Sequence, residues 1–182
     1  MFQKREMRLS GSGGQGVILA AIIFADAAIE DGLNAIQTQS YGPEARGGAS
    51  KAEVIINDKE INYPKVMKNN LLLSLTQKSF DQYIGSLDEN GVLVVDEDVE
   101  VPENVKASKV YRLPIIRTAD EKVGTHVVAN IVSIGVIYEI MCKDIIKLET
   151  IKASIANRVP KATIDKNMQA FEEGVNLVKA MA

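Results

Sequence analysis

The sequence predicts an α/β protein, a Rossmann-like three-layer sandwich with a mostly parallel sheet, a hairpin-like insert and a helical C-terminal region. Three observations support this prediction. Short apolar runs typical of strands alternate with helical periodicity over most of the chain. A glycine cluster separates the first predicted strand from the first helix, and the final third shows only helical periodicity. We expect one domain over residues 1–182, because no linker or repeat interrupts the pattern.

Apolar runs predict strands over residues 6–10, 33–37, 52–56, 71–75, 92–95 and 110–113. Helical spacing predicts helices over residues 18–29, 77–87, 125–142 and 148–158, and a last helix that follows Thr163. The first two strands and the helix between them form a βαβ unit, so we expect these strands to pair in parallel. The strand over 52–56 is expected to turn at residues 57–60 and return through Ile61–Tyr63 as the hairpin-like insert.

Composition excludes several classes of function. The chain has 182 residues, of which 46% are hydrophobic and 25% charged, so it can form a core and is not disordered. Its net charge of −3 offers no basic excess for nucleic acid. With one cysteine, Cys142, and one histidine, His126, the chain lacks the usual ligands of a zinc site or an iron–sulfur cluster. We therefore expect no metal on this chain.

No segment has the length of a membrane span. The most apolar stretch, Val127–Met141, has about 15 residues, whereas a span needs about 20. The charged N-terminus is not followed by the apolar region of a secretory signal. We expect a cytoplasmic protein that does not bind membranes. Because the helix over Val127–Met141 is apolar on nearly all sides, we expect another subunit to bury it.

The glycine loop, Gly11-x-Gly13-x-x-Gly16, lies between the first strand and the first helix. Glycines let backbone amides approach a phosphate, and the helix N-terminus adds partial positive charge. Alternatively, the glycines only let the helix pack closely on the sheet. Ser12 and Gln15 either hydrogen-bond to a ligand or face solvent. The candidate cofactor-binding residues of this loop are Gly11, Ser12, Gly13, Gly14, Gln15 and Gly16.

The sequence does not support an NAD site at this loop. A dinucleotide site has an acidic residue about 20 residues after the glycines, at the end of the second strand. Asp31 has roughly that separation, but it precedes the strand, which ends at Gln37–Ser40. No Lys-Ser/Thr pair follows the glycines, which excludes a P-loop. A stand-alone nucleotide-binding protein or NAD-dependent oxidoreductase is the alternative to the function below.

Two segments, read together, resemble a known family. GSGGQGVILA, from Gly11, and QSYGPEARGGASKAEVIIND, from Gln39, are similar to the gamma subunit of 2-oxoacid:ferredoxin oxidoreductases. Asn130 and the segment Asn167–Gly174 share this likeness. The second segment is most similar to the 2-oxoglutarate branch, although Gly124-Thr125-His126 departs from the family pattern. These enzymes decarboxylate a 2-oxoacid oxidatively to an acyl-CoA and pass the electrons to ferredoxin.

The resemblance implies a division of labour among subunits. Thiamine diphosphate and the iron–sulfur clusters are expected on alpha, beta and ferredoxin-like delta subunits, with ferredoxin as the acceptor of the complex. This chain is expected to hold no catalytic residue, to be inactive alone, and to help bind coenzyme A at the glycine loop. The isolated chain is expected to be able to form a homodimer.

The segment Gln39–Gly48 is predicted to be a loop, and it contributes the other candidate cofactor-binding residues. Arg46 either pairs with a phosphate or carboxylate group, or is held by Glu44 or a partner subunit. Tyr41 either stacks on adenine or lies in a subunit interface. The candidates in this loop are Tyr41, Gly42, Pro43, Glu44, Arg46 and Gly47.

Three further features have simple interpretations. His126 follows a predicted helix cap at Thr125, so we expect a local hydrogen bond rather than a general base. Cys142 is expected to be a small buried hydrophobe. The acidic run Asp96–Asp98 follows a strand and indicates a solvated loop rather than a metal site.

Overall fold

The computed structural model describes residues 2–40 and 48–181. These ranges form six strands: β1 (Arg5–Ser12), β2 (Asn34–Ser40), β3 (Ala49–Asn57), β4 (Asn69–Ser74), β5 (Leu87–Asp96) and β6 (Lys109–Leu113). They make one sheet in the order β2-β3-β1-β4-β5-β6. The predicted α/β class with a mostly parallel sheet is confirmed.

The strand β3 changes the expected topology. It runs antiparallel to both of its neighbours, β1 and β2, whereas β1, β4, β5 and β6 pair in parallel. The prediction that the first two strands pair is therefore wrong, because β3 lies between them. The prediction of a hairpin-like insert is also wrong, since Ile61–Tyr63 form no strand. A strand inside the sheet satisfies its backbone groups on both sides, which an isolated hairpin cannot do.

Six α-helices form in the described ranges: α1 (Val17–Glu30), α2 (Gln77–Tyr83), α3 (Ile115–Thr118), α4 (Ala129–Ile137), α5 (Leu148–Arg158) and α6 (Ile164–Lys179). Past α1 the chain turns at Gly32, whose φ of +83° favours glycine, as predicted. The second predicted helix ends early, because β5 already begins at Leu87. The strand β5 therefore begins earlier than the predicted strand over 92–95, and its register with β4 shifts between Leu87 and Val92.

The core lies on both faces of the sheet. On the first face, Met7 and Leu9 of β1 and Leu73 of β4 pack with the helices α1 and α4. On the second face, Leu72 and Phe80 belong to a smaller cluster beneath α2. Helices therefore cover the sheet from both sides, which makes the three-layer arrangement that the sequence predicts.

The helix α4 is buried by the chain itself. All nine of its residues are buried, and it packs against α6. The two backbones approach closely at a pair of glycines: a Cβ atom on Gly174 would lie 2.0 Å from the carbonyl oxygen of Val132, and one on Gly135 would lie 2.1 Å from that of Phe171. The prediction that another subunit buries this helix is wrong, because α6 covers it.

None of the helices formed by residues 2–40 and 48–181 is both long enough and apolar enough to cross a membrane.

Candidate functional site

The glycine loop is a tight turn that a side-chain hydrogen bond stabilises. Gly11 and Ser12 are the last residues of β1, which extends two residues further than predicted. The amide of Gln15 donates to the carbonyl oxygen of Ser12 at 3.2 Å, and the Oε1 atom of Gln15 accepts from the Ser12 amide at 2.7 Å. Gln15 therefore braces the loop. Gly14, at φ +90°, has the left-handed conformation that favours glycine.

The loop presents amides without acceptors. Within the described residues, the amides of Gly13, Gly14 and Gly16 make no hydrogen bond. The helix α1 begins at the next residue, with no capping side chain and no acidic residue in its first turn. Its partial positive charge is therefore not neutralised locally. Open amides and an uncompensated helix N-terminus together favour an anionic group at this position.

The two interpretations of the glycine loop, phosphate binding and close packing of the helix, apply to different glycines. Gly16 has φ +73° and its carbonyl oxygen accepts from the Nδ2 atom of Asn130 at 3.3 Å; a Cβ atom there would lie only 2.5 Å from the same Nδ2. Gly16 is therefore required for backbone conformation and packing. A Cβ atom on Gly13 would meet nothing within 4 Å, so Gly13 borders open space.

A groove of about 510 Å³ adjoins the loop, between the beginning of α4 and the junction of α5 with α6. Its apolar lining is Leu19, Val127, Val128, Ile131, Val159 and Pro160, and its polar lining includes Asn130, Arg158, Lys166 and Asn167. The Arg158 guanidinium pairs with Asp26 at 2.6 Å. Lys166 is exposed and has no ion-pair partner within the described residues. Sequence analysis missed both cations, because no local motif links them to the distant glycine loop.

Only the flanks of the segment Gln39–Gly48 are described. Residues 41–47 lie outside the described residues, and so do the predictions for Tyr41, Gly42, Pro43, Glu44, Arg46 and Gly47. The described flanks are Ser40, which ends β2, and Ala49, which pairs with Ser12 in the register of β3 with β1. The described flank at Ala49 therefore lies next to the glycine loop.

A buried charged cluster lies on the second face of the sheet. The Nε atom of Arg8 and the Nζ atom of Lys51 each donate to Oε1 of Glu53 at 2.8 Å. The ring of Tyr83 lies 5.8 Å from the Arg8 guanidinium and 5.9 Å from the Lys51 ammonium. Burial disfavours the charged carboxylate, but the hydrogen bond from Lys51 and the charge of Arg8 outweigh it and lower the pKa of Glu53.

Sequence analysis also missed this cluster. The available signal was charge at Arg8, Lys51 and Glu53, positions that share one face of their strands and alternate with apolar residues of the opposite face. The sequence of one strand does not predict which charged residues of the other will lie beside it. The ion pair between Arg8 and Glu53 therefore forms only because β3 inserts beside β1.

Asp31 is not available to a ribose. Its Oδ2 atom accepts from the amide of Lys147 at 2.6 Å, and its Oδ1 atom accepts from the hydroxyl of Thr150 at 2.8 Å. Burial alone would raise the pKa of Asp31, but these hydrogen bonds outweigh it and lower that pKa. Moreover, β3 separates β2 from β1, so the end of β2 is not adjacent to the glycine loop. The geometry therefore does not favour the NAD alternative.

The remaining candidates have structural roles. The Nδ1 atom of exposed His126 lies 3.6 Å from the Oδ1 atom of Asp120, which is a local contact but too long for the predicted hydrogen bond. Cys142 is fully buried, as predicted, and burial raises its pKa to about 12. The prediction that Asp96 lies in a solvated loop is wrong, because Asp96 is buried. Its carboxylate accepts from the amide of Ile116 at 2.9 Å, in the first turn of α3. Among residues 2–40 and 48–181, no cluster of three metal-ligating side chains forms.

The fold and the glycine loop define an α/β domain of the Rossmann-like class, with a candidate anion site at the carboxyl edge of its sheet. The family model for pyruvate ferredoxin/flavodoxin oxidoreductase matches residues 6–177, and the chain belongs to this family. The resemblance predicted from the sequence is thereby confirmed.

Two relatives are similar over nearly their full length, and a third matches over part of its chain. The chain is 43% identical over 181 residues to the 2-oxoglutarate synthase subunit KorC of Methanocaldococcus jannaschii, covering 98% of this chain and 96% of that protein. The keto/oxoacid ferredoxin oxidoreductase gamma subunit of Geobacter sulfurreducens is 40% identical, with a TM-score of 0.86 and 98% of each chain covered. The 2-oxoglutarate:ferredoxin oxidoreductase of Magnetococcus marinus shares the fold at 19% identity, with a TM-score of 0.88 over 100% of this chain and 32% of its own.

Proposed function

We propose that the chain is the gamma subunit of a 2-oxoglutarate:ferredoxin oxidoreductase, acting as one domain within a heteromeric complex. The observation that carries this proposal is the 43% identity to a 2-oxoglutarate synthase subunit of nearly equal length. The structural likeness to a gamma subunit of the same family supports it.

The complex requires companion subunits. We assign thiamine diphosphate and the iron–sulfur clusters to alpha, beta and ferredoxin-like delta subunits, and electron acceptance to ferredoxin. Thiamine diphosphate would supply the decarboxylation chemistry, and the clusters would carry the electrons. The role of this chain is then to complete the assembly and to contribute to binding of coenzyme A.

The glycine loop supports the proposal that the chain helps to bind coenzyme A. Its 3′-phospho-ADP end combines anionic phosphates with an aromatic base. The amides of Gly13, Gly14 and Gly16 and the N-terminus of α1 offer donors to a phosphate. Lys166 lines the adjoining groove and offers a cation that has no ion-pair partner among residues 2–40 and 48–181, and the apolar wall offers contact to adenine. The Magnetococcus enzyme was solved with coenzyme A bound, but the proposal for this chain depends on the geometry of its own loop.

Calorimetry on the full chain tests the coenzyme A site. Replacing Gly13 by Val places a side chain in the space that the ligand would occupy, and it should abolish binding while leaving the fold intact. Lys166→Ala removes a charge-assisted contact and should weaken binding by roughly tenfold. Dephospho-coenzyme A, which lacks the 3′-phosphate, should bind less tightly than coenzyme A.

Lys161→Ala is the matched control, because Lys161 is also exposed near α6 but does not line the groove. It should leave the affinity unchanged. If Gly13→Val binds coenzyme A as the unmodified chain does, the loop is only a packing turn. If the chain binds NAD or NADP more tightly than coenzyme A, the alternative function is correct.

Reconstitution tests the assembly. Co-expression with the companion subunits should give a complex that reduces ferredoxin only when 2-oxoglutarate and coenzyme A are both present. Omission of this chain should abolish that activity. Turnover by this chain alone, or full activity without it, would contradict the proposed role.

A further inference from the structure

Arg158 borders two concave parts of the surface. It lines the groove beside the glycine loop, together with Gly14 and Gly16. It also lines a second cavity of about 560 Å³ between α1 and α5, together with Asp26. The side chain of Arg158 is 45% exposed, so a ligand in the groove can contact it.

The ion pair with Asp26 engages only one nitrogen of the guanidinium. The Nε atom of Arg158 donates to the Oδ2 atom of Asp26 at 2.6 Å. Among residues 2–40 and 48–181, the Nη1 and Nη2 atoms make no hydrogen bond. A guanidinium has five N–H groups, so four are left for another acceptor. Because the ion pair is partly exposed, solvent weakens the repulsion between Asp26 and a second anion.

The backbone holds Arg158 in a fixed place. Arg158 is the last residue of α5, and Pro160 prevents the helix from continuing. At the other end of α5, the amide of Lys147 donates to Asp31, the residue that follows α1. The helix α5 therefore stays attached to α1 even when Arg158 loses its bond to Asp26.

We propose that Arg158 binds a phosphate monoester of the ligand in this groove, and that Asp26 is the positioning residue that orients its guanidinium. A planar guanidinium with free Nη groups binds phosphate through two parallel hydrogen bonds, which an ammonium group does not match. Main-chain amides at a helix N-terminus suit a pyrophosphate, whereas an arginine accommodates the additional phosphate of a nucleotide. The groove therefore has two different anion-binding positions.

The inference rests on the proposed function, because it names the 3′-phosphate of coenzyme A as the monoester. It adds the residue that distinguishes coenzyme A from dephospho-coenzyme A, which has the same pyrophosphate and adenine. The glycine loop then contributes affinity for both compounds, and Arg158 contributes selectivity between them.

Calorimetry on the full chain with both compounds tests this assignment. The unmodified chain should bind coenzyme A roughly tenfold more tightly than dephospho-coenzyme A. In Arg158→Gln this ratio should fall to about one, because only the affinity for coenzyme A decreases. Asp26→Asn should also lower the ratio, since the guanidinium loses its orientation, and Asp26→Glu should restore it by keeping the counter-charge.

Arg117→Gln is the matched control. The Nε atom of Arg117 also pairs with a carboxylate, that of Glu97, at 2.9 Å, but Arg117 does not line the groove. This variant should leave the affinity ratio unchanged. Thermal denaturation should accompany each titration, because an ion pair that only attaches α5 to α1 would change the melting temperature and not the ratio.

The outcomes separate this inference from the proposed function. An unchanged ratio in Arg158→Gln, with coenzyme A still bound, would overturn the inference alone. Loss of selectivity in Lys166→Ala but not in Arg158→Gln would overturn it by assigning the 3′-phosphate to Lys166. If the unmodified chain binds adenosine 3′,5′-bisphosphate but not coenzyme A, and Arg158→Gln abolishes that binding, the inference holds and the coenzyme A site fails. If the chain binds none of the three compounds, both fail.

Discussion

The second face of the sheet differs between its two halves. Across β4 and β5 it carries Leu72, Leu93 and Val95 beneath α2, whereas across β1 and β3 it carries charged groups. The register is continuous between the halves: Arg8 pairs with Leu72 on one side and with Glu53 on the other. One row of residues thus passes from an apolar environment to an ion pair within a single strand spacing.

This difference shows how the fold supports a polar site. A fully buried leucine contributes roughly 1.5–3 kcal/mol by leaving water. A buried ion pair gains little net stability, because desolvation offsets the attraction between its charges. The apolar half therefore stabilises the sheet, while the half next to the glycine loop holds polar groups in place. Three substitutions test this division, in order of decreasing effect.

Leu72→Ala should have the largest effect on the apolar half. Leu72 is fully buried, and its truncation leaves a cavity beneath α2. We expect a loss of about 3–5 kcal/mol in the free energy of unfolding, measured by urea denaturation. A loss below about 1 kcal/mol would show that this half does not stabilise the sheet as inferred.

Glu53→Gln should have the next largest effect, about 3 kcal/mol, because it leaves the buried Arg8 without its counter-ion. Since the pKa of Glu53 is lowered in the folded chain, its ionised form stabilises the fold above the ordinary value of 4.5. That contribution is lost as pH falls through the lowered pKa. The difference between the two proteins should therefore shrink below pH 4.5.

The paired replacement of Arg8 by Met and Glu53 by Leu is the control for this effect. It removes both charges, so it should recover most of the stability that Glu53→Gln loses. If the paired replacement is as destabilising as Glu53→Gln alone, the cluster stabilises the fold by more than the mutual neutralisation of its charges.

Lys51→Met should have the smallest effect, less than about 1 kcal/mol, because Lys51 lies at the rim of the cluster and its pairing is weakened by solvent. Its side chain is 26% exposed, compared with 8% for Arg8. Thermal denaturation of Lys51→Met and Glu53→Gln side by side measures the contrast. An equal loss of stability in both variants would show that Lys51 at the rim of the cluster and Glu53 at its centre contribute equally.

Much of the candidate site could be predicted from local sequence. The glycine loop lies between a strand and a helix as expected, and residues 148–158 form the predicted helix. These features depend on neighbours a few positions apart, so spacing alone reveals them. The hydrogen bond from the Ser12 amide to Gln15 also joins residues only three positions apart, yet the sequence predicts a ligand or solvent beside the Gln15 side chain.

The groove cations and the charged cluster could not be predicted in the same way. Lys166 lines the groove beside the loop only because α6 packs on α4, where Gly135 and Gly174 let the backbones approach. Arg8 meets Glu53 only because β3 inserts beside β1. Contacts between residues so far apart in the chain depend on which elements pair, which local periodicity does not specify.

By itself, the sequence determined the α/β class, the glycine loop at the head of α1 and the family to which the chain belongs, since each depends on short-range spacing or on motifs. Only the tertiary structure decided that β3 separates β1 from β2, that α6 rather than another subunit buries α4, and that β2 is an uncharged edge. The physical reason is that burial and backbone pairing are satisfied by the whole chain at once, so the partner of each strand and helix is chosen by long-range packing.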